Sequence, residues 1–136
     1  MLFRSPQLAG ATPAEKTQVE RWMDWMLAAL NTPYLAMFKD AKKPAAERAP
    51  DFAAQSADLV AQLKILDGHI SGRDWFALDR FTIADIALGS IVKRCLEFPI
   101  ERPPYPELTR WQAAIDARPA FAVATGAKPS VLTPAA

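Results

Sequence analysis

Apolar side chains recur at the three- and four-residue steps of an amphipathic helix along four stretches of the chain. We predict helices from Pro13 onwards, over 51–70, over 82–97 and over 106–117, followed by a short turn at 119–125. For these four helices in turn, the residues expected to face the core are Val19, Trp22, Met26 and Leu30; Phe52, Leu59, Leu63, Leu66 and Ile70; Ile83, Ile86, Ser90, Ile91 and Cys95; and Leu108, Trp111 and Ile115. No stretch alternates as a strand does, so the pattern predicts an all-α fold of about four main helices.

Helix ends are marked by residues with known terminal preferences. Thr12 is placed to cap a helix that begins with Pro13, because a threonine hydroxyl accepts free backbone N–H groups and proline suits the first turn. Pro33 has no N–H to donate, so a helix that continues through 34–38 must lose a hydrogen bond and bend there. Gly72 is placed to terminate the second long helix.

The segment around Thr82 predicts a strong helix start. Asp85 stands three residues later, the spacing at which a carboxylate reaches back to the N–H of the capping residue. Phe81 and Ile86 flank the pair at the positions of a hydrophobic staple. We interpret this hydroxyl and carboxylate as a folding device, not as acid–base chemistry.

The charge balance excludes several classes of partner. The 136 residues carry 16 basic and 15 acidic side chains, with a formal net charge of +1. Such a chain, without a run of five like charges, creates no field that attracts nucleic acid or an anionic membrane. No apolar run approaches the roughly 18 residues of a membrane helix, and residues 1–14 do not resemble a secretory signal. Cys95 is the only cysteine, which suits a reducing, cytoplasmic compartment.

Few residues suggest chemistry of their own. His69 is the only histidine and lies in the last turn of the second helix, where an imidazolium suits the helix dipole and packing is the simplest role. Cys95 falls on an apolar helix face and is expected to be a buried small hydrophobe. We therefore predict no catalytic residue and no metal site in this chain.

Four residues are candidates for contact with a small molecule. Arg21 and Trp25 are one helical turn apart and together could hold an anionic or aromatic ligand. Tyr34 and Phe38 follow the Pro33 kink and could add a second aromatic wall. The alternative is that Trp25 packs in the core and Arg21 pairs with a neighbouring carboxylate.

Several motifs together resemble a known family. The segments are GRDWF at 72–76, FTIADIA at 81–87, YPEL at 105–108 and RPAF at 118–121. In this order and spacing, the chain from about residue 14 to 121 resembles the C-terminal helical domain of bacterial soluble glutathione S-transferases.

This resemblance implies a division of labour. In that family a thioredoxin-like half binds the co-substrate glutathione and activates its thiol, and the helical half contacts a hydrophobic or aromatic electrophile and part of a homodimer interface. The present sequence resembles only the helical half, so we expect no thioredoxin-like domain. We expect a linker remnant at 1–12, the helical domain at 13–125 and a flexible tail at 126–136. One departure is Leu78, where family members usually carry glycine; leucine is strained there if the backbone requires a positive φ.

Three functional interpretations remain open from the sequence. The first is the helical half of a transferase, inactive in isolation because the glutathione-binding half is absent. The second is a non-catalytic protein-interaction module of the same fold. The third is a gene remnant without selected function.

Overall fold

Helices account for every regular element among residues 5–126, the part of the chain that the computed structural model describes. The elements in chain order are α1 (Pro6–Ala9), α2 (Pro13–Trp25), a π-helical turn (Met26–Leu30), α3 (Asn31–Asp40), a 3-10 turn (Ala45–Glu47), α4 (Phe52–Ile70), α5 (Ile83–Glu97), α6 (Pro106–Asp116) and α7 (Pro119–Ala124). The continuous run from α2 to α3 counts as one long helix, so the all-α fold has the four main helices that the periodicity predicts. The predicted tail at 126–136 lies, apart from Gly126, outside the described residues.

The irregularity caused by Pro33 lies one turn earlier than the proline itself. The N–H of Asn31 donates to the carbonyl of Met26, five residues back, which widens the turn. A proline inside a helix cannot donate, and its ring crowds the carbonyl four residues before it. A π turn just before Pro33 relieves that crowding. Pro33 is itself buried at the start of α3.

Side chains of α4 and α6 form hydrogen bonds with backbone groups at the end of the other helix. The Asp67 carboxylate on α4 accepts from the N–H of Leu108 at 2.8 Å, in the first turn of α6. In return, Arg110 on α6 donates to the carbonyls of Ile70 at 3.0 Å and Arg73 at 2.8 Å. These bonds satisfy terminal backbone groups that a helix cannot pair internally. Four apolar residues of α4 are fully buried, namely Leu59, Leu63, Leu66 and Ile70.

The predicted core face of α5 is confirmed only in part: Cys95 is buried, and Ile83 and Ile91 are partly buried against the core. Ile86 is 40% exposed and Ser90 is exposed, so their predicted inward placement is wrong. The buried residues of α5 are Ala84, Asp85, Leu88, Gly89, Val92 and Cys95. The physical reason is Asp85, whose carboxylate is required inside the protein and fixes the rotation of the helix.

Other sequence markers are found at the expected ends. The Thr12 hydroxyl accepts from the N–H of Glu15 at 3.2 Å, at the start of α2. Gly72 has φ +74 just beyond α4, a conformation that glycine adopts without steric cost. Between residues 5 and 126 no residue other than glycine has a positive φ. Leu78 therefore fits its loop without that strain.

The segment before α2 is attached to the helical domain by Arg80. Its guanidinium donates to the carbonyls of Gln7 at 3.0 Å and Pro6 at 3.2 Å, and it pairs with Glu15 at 2.6 Å. The region predicted as a linker thus contains the short helix Pro6–Ala9 and rests on the loop before α5.

Candidate functional site

Arg21 lies over an indole ring on the surface of α2. Its guanidinium carbon is 5.3 Å from the ring centroid of Trp22, the neighbouring residue. Trp25 is half-buried and meets Trp22 edge-on at a centroid distance of 5.8 Å. Arg21 forms no ion pair with any residue between 5 and 126. The exposed guanidinium thus lies over the Trp22 indole, and Trp25 packs edge-on against that indole. We call these three residues the Arg21 surface.

The Arg21 surface rests on an aromatic stack that includes the only histidine. Trp22 is 7% exposed and packs against His69 at 4.2 Å and Phe76 at 5.2 Å between centroids. The His69 Nε2 atom lies 2.9 Å from the carbonyl oxygen of Phe76, so Nε2 carries the proton and donates it. Burial lowers the pKa of His69, and the charges of Arg73 and Arg21 lower it further against the effect of the Phe76 carbonyl. The packing role predicted for His69 is present, but a charged imidazolium is disfavoured there.

Tyr34 and Phe38 occupy a different place from Arg21 and Trp25. Tyr34 is 8% exposed and packs against Phe38 at 6.0 Å and Phe98 at 5.8 Å. Phe38 is 59% exposed. The thirteen residues from Trp25 to Phe38 correspond to about 20 Å along a helix. The four candidate residues therefore do not form one pocket wall.

Phe38 instead lines a cleft at the other end of the run, which we call the Phe38 cleft. Its volume is about 230 Å³, and its lining residues are Met37, Phe38, Lys42, Arg94, Glu97 and Phe98. The Arg94 guanidinium carbon lies 5.6 Å from the centroid of the Phe38 ring. Sequence reasoning missed Lys42, Arg94 and Phe98, because their approach to Phe38 depends on how α3 and α5 pack together.

A buried carboxylate organises the helix start at Thr82. Thr82 and Asp85 form a capping box, in which Asp85 Oδ2 accepts from the backbone N–H of Thr82 at 3.0 Å. Asp85 Oδ1 also accepts from the backbone N–H of Phe76 at 3.0 Å and from the indole Nε1 of Trp111 at 2.9 Å. Burial raises the pKa of Asp85, and these hydrogen bonds oppose the shift. The Trp111 bond was missed, although a buried indole N–H usually requires an acceptor.

Phe81 and Ile86, the two residues that flank the capping box, have different surroundings. Phe81 meets Trp75 edge-on at 5.2 Å and lies under the Arg118 guanidinium at 3.7 Å. Ile86 is 40% exposed. A staple contact between Phe81 and Ile86 stays a prediction.

Nucleophilic and metal chemistry find little support within the described range. Cys95 is fully buried, and burial raises the pKa of its thiol to about 12. It is therefore a protonated core residue at neutral pH. Among residues 5–126 no three His, Cys, Asp or Glu side chains lie close enough to hold a metal ion. In the same range no helix has the length and apolar content to cross a bilayer.

The all-α fold agrees with a known family. Residues 22–119 match the family described as glutathione S-transferase, C-terminal domain. The chain belongs to this family.

Related proteins are bacterial and fungal glutathione S-transferases. The chain is 28% identical over 113 residues to glutathione S-transferase GstB of Escherichia coli, and 27% identical over 115 residues to glutathione S-transferase stcT of Emericella nidulans. These alignments cover 80% and 82% of this chain and 53% and 54% of the relatives. The chain thus spans about half the length of the curated relatives it matches.

A solved bacterial structure shares the fold over most of the chain. It is the apo theta class glutathione S-transferase of Xanthomonas axonopodis pv. citri, with TM-score 0.82 and 32% sequence identity. The superposition covers 94% of this chain and 67% of that one. The same enzyme with glutathione bound gives TM-score 0.80.

Proposed function

We propose that this chain is the helical half of a glutathione S-transferase, whose intact form conjugates glutathione to hydrophobic or aromatic electrophiles in detoxification. The match of residues 22–119 to the C-terminal domain family carries this proposal. It is supported by the likeness to the Xanthomonas enzyme, which has been solved with glutathione bound. In such a reaction the thiolate sulfur bonds to an electrophilic carbon, and a leaving group such as chloride departs. The glutathione-binding half supplies the thiolate, and this chain positions the electrophile.

The Arg21 surface is the proposed electrophile contact within this chain. The exposed guanidinium of Arg21 attracts the nitro groups and developing negative charge of an activated aryl halide. The half-buried indole of Trp25 offers aromatic surface against which the ligand ring packs, and the buried Trp22 supports Arg21 from beneath. A contribution from Tyr34 and Phe38 stays a prediction, because they lie in the separate cleft.

The first experiment asks whether the 136 residues act alone. An antibody raised against the chain reports the mass of the natural protein, and we expect a band well above 15.0 kDa. The purified chain is expected to give no conjugation of glutathione with 1-chloro-2,4-dinitrobenzene. Turnover that scales with pure chain would contradict the proposed division of labour. If the natural protein instead has a mass of 15.0 kDa, the cell makes this domain alone, and the search should turn to protein partners.

The second experiment tests the Arg21 surface in the intact parent. Arg21→Gln is expected to lower kcat/KM for the aryl halide about fivefold, the equivalent of one cation–π contact, without changing KM for glutathione. Lys64→Gln is the matched control, because Lys64 is also exposed on a helix and lies outside this surface. Phe38→Ala tests the second pair of residues. Equal kinetics for Arg21→Gln and Lys64→Gln would remove Arg21 from the site.

A cytoplasmic homodimer is the proposed setting of the intact protein. The free thiol of Cys95 suits a reducing compartment. Leu27, Leu35 and Ile65 each expose more than half of their surface, and apolar surface of this kind favours association. Sedimentation equilibrium of the intact protein measures its mass directly. A monomer at every concentration tested would contradict the dimer.

A further inference from the structure

Arg80, in the loop before α5, binds residues 5–12 and the first turn of α2. Its guanidinium contacts two backbone carbonyls of α1 and the carboxylate of Glu15. The matched family is a C-terminal domain, so in the proposed intact parent the glutathione-binding half precedes residues 5–12, which we call the entry segment. We propose that Arg80 is a positioning residue for conjugation, because it fixes where that half joins α2 and hence how the thiolate meets an electrophile on the Arg21 surface. The inference rests on the proposed function and adds a residue to it.

One guanidinium holds α1 and α2 at the same time. The Arg80 Nε atom donates to the carbonyl of Gln7 at 3.0 Å. One terminal nitrogen donates to the carbonyl of Pro6 at 3.2 Å and to Glu15 Oε1 at 2.6 Å. Because a guanidinium is planar and rigid, a rotation of α1 relative to α2 stretches at least one of these three bonds.

Glu15 also binds the turn between α1 and α2. Its Oε1 atom accepts from the backbone N–H of Ala11 at 3.2 Å, and its own N–H donates to the Thr12 hydroxyl at 3.2 Å. The bond from Arg80, and then the one from the Ala11 N–H, hold the pKa of Glu15 below its ordinary value. The carboxylate is therefore charged at neutral pH, and the bond from Arg80 is charge-assisted at both ends.

The turn at Gly10 packs on α2 without space for a side chain. A Cβ atom at residue 10 would lie 2.7 Å from the backbone nitrogen of Lys16 and 2.9 Å from the backbone carbonyl carbon of Glu15. Gly10 also has φ +97, a conformation that residues with a side chain rarely adopt. The backbone of the entry segment thus lies directly on the first turn of α2.

The entry segment lies near the proposed electrophile contact. The nine residues from Thr12 to Arg21 correspond to about 14 Å along a helix. A rotation of the preceding half about this point moves its thiolate relative to the ring of the electrophile. A misplacement of about 1 Å can cost on the order of 10²-fold in rate, so a loose entry segment is expected to slow the chemical step.

Arg110 provides a matched control, because its guanidinium makes bonds of the same kinds elsewhere. It donates to the backbone carbonyls of Ile70 and Arg73 and to the carboxylate of Glu107. None of these partners belongs to the entry segment. The Arg80 and Arg110 side chains are also similarly exposed, at 36% and 43%. A purely structural role of Arg80 therefore predicts similar effects for Arg80→Gln and Arg110→Gln.

Hydrogen exchange of the unmodified 136-residue chain tests whether the entry segment is held. The N–H of Gly10 donates to the carbonyl of Pro6 at 3.1 Å, and that of Ala11 donates to Glu15. Both amides are expected to exchange at least about tenfold more slowly than in an unstructured peptide. Arg80→Gln is expected to remove this protection. Unprotected exchange at both amides in the unmodified chain would overturn the proposal, whether or not any variant folds.

Single-turnover kinetics of the intact parent test the positioning role. Glutathione is bound first, the ultraviolet absorbance of its thiolate counts the working glutathione sites, and saturating 1-chloro-2,4-dinitrobenzene is then added. Arg80→Gln is expected to lower the rate per thiolate about tenfold, a part of the cost of misplacement, with KM for glutathione unchanged. Gly10→Ala is expected to lower the same rate, because it separates the same contact by a different substitution. Arg110→Gln is expected to leave the rate per thiolate unchanged.

Two kinetic results would overturn the proposal. One is a rate per thiolate in Arg80→Gln equal to that of the unaltered parent. The other is an equal loss in Arg80→Gln and Arg110→Gln, since Arg80 then acts only on stability. If Arg80→Gln does not fold, an unaltered rate per thiolate in Gly10→Ala overturns the proposal in its place. Failure of the proposed function is recognised separately, by a natural protein of 15.0 kDa or by a parent without conjugating activity, and removes this role with it.

Discussion

Replacing Asp85 tests whether the buried capping network holds the fold together. The carboxylate is fully buried and accepts from two backbone N–H groups, of Phe76 and Thr82, and from the indole of Trp111. Asp85→Ala leaves these three buried donors without their acceptor. Asp85→Asn keeps one oxygen for Phe76 and Trp111 but turns an NH₂ group towards the N–H of Thr82.

The expected losses follow from the number of donors left unpaired. Each buried unsatisfied donor costs about 1–3 kcal/mol, and removal of the carboxylate relieves part of the cost of having buried a charge. We expect a loss of about 4 kcal/mol in the free energy of unfolding for Asp85→Ala, by analogy with breaking a buried polar pair. For Asp85→Asn, with one donor unpaired, we expect about 2 kcal/mol. Because a domain is stable by only about 5–15 kcal/mol, the asparagine variant is the more informative one.

Urea unfolding followed by far-UV circular dichroism measures both variants. A matched control is Asp58→Ala, because the Asp58 carboxylate is exposed and, within residues 5–126, accepts only from Gln62 one turn away. We expect Asp58→Ala to change stability by less than about 0.5 kcal/mol. If the free energy of unfolding of Asp85→Ala lies within about 1 kcal/mol of that of the unaltered chain, which is on the order of one ordinary hydrogen bond, the reasoning about this network is wrong.

Two further predictions concern glycines and the histidine. Gly72→Ala is expected to cost about 1 kcal/mol because alanine is strained at positive φ, and Gly72 has φ +74. Gly68→Ala is expected to stabilise the protein by about 0.5–1 kcal/mol, because Gly68 lies inside α4 with open space around it. Urea unfolding measures both variants, and a change in the free energy of unfolding with the same sign in both would contradict this. The pKa of His69 is lowered below 6.5 in the folded protein, so between that lowered value and 6.5 the unfolded chain binds more protons and stability rises with pH. The stability that His69 contributes is complete above about pH 6.5 and is lost as the pH falls through the pKa of the folded state. If the urea midpoint of His69→Gln changed with pH as steeply as that of the unaltered chain, this prediction would be contradicted.

The helices could be predicted from the sequence because each carries a regular apolar stripe with recognisable ends. The rotation of α5 that exposes Ile86 and Ser90 could not be predicted, because it depends on hydrogen bonds to Asp85 from Phe76 and Trp111, which lie outside α5. The partner of Arg21 was also missed. Neighbours in sequence point to different sides of a helix, so the stacking on Trp22 depends on how the long arginine side chain folds back. Such contacts are set by tertiary packing and rotamers, which periodicity does not encode.

The capping network and the proposed electrophile surface are joined by an unbroken series of contacts. Trp25 meets Trp22 at 5.8 Å, Trp22 meets Phe76 at 5.2 Å, and Phe76 meets Trp111 at 4.8 Å between ring centroids. Trp111 ends the series with its hydrogen bond to Asp85 at 2.9 Å. Because close-packed rings transmit displacement, we expect Asp85→Asn to shift the ring on which the Arg21 guanidinium rests. The folding device at the start of α5 is thus connected, through the rings of Trp111 and Phe76, to the surface on α2 that is proposed to contact the electrophile.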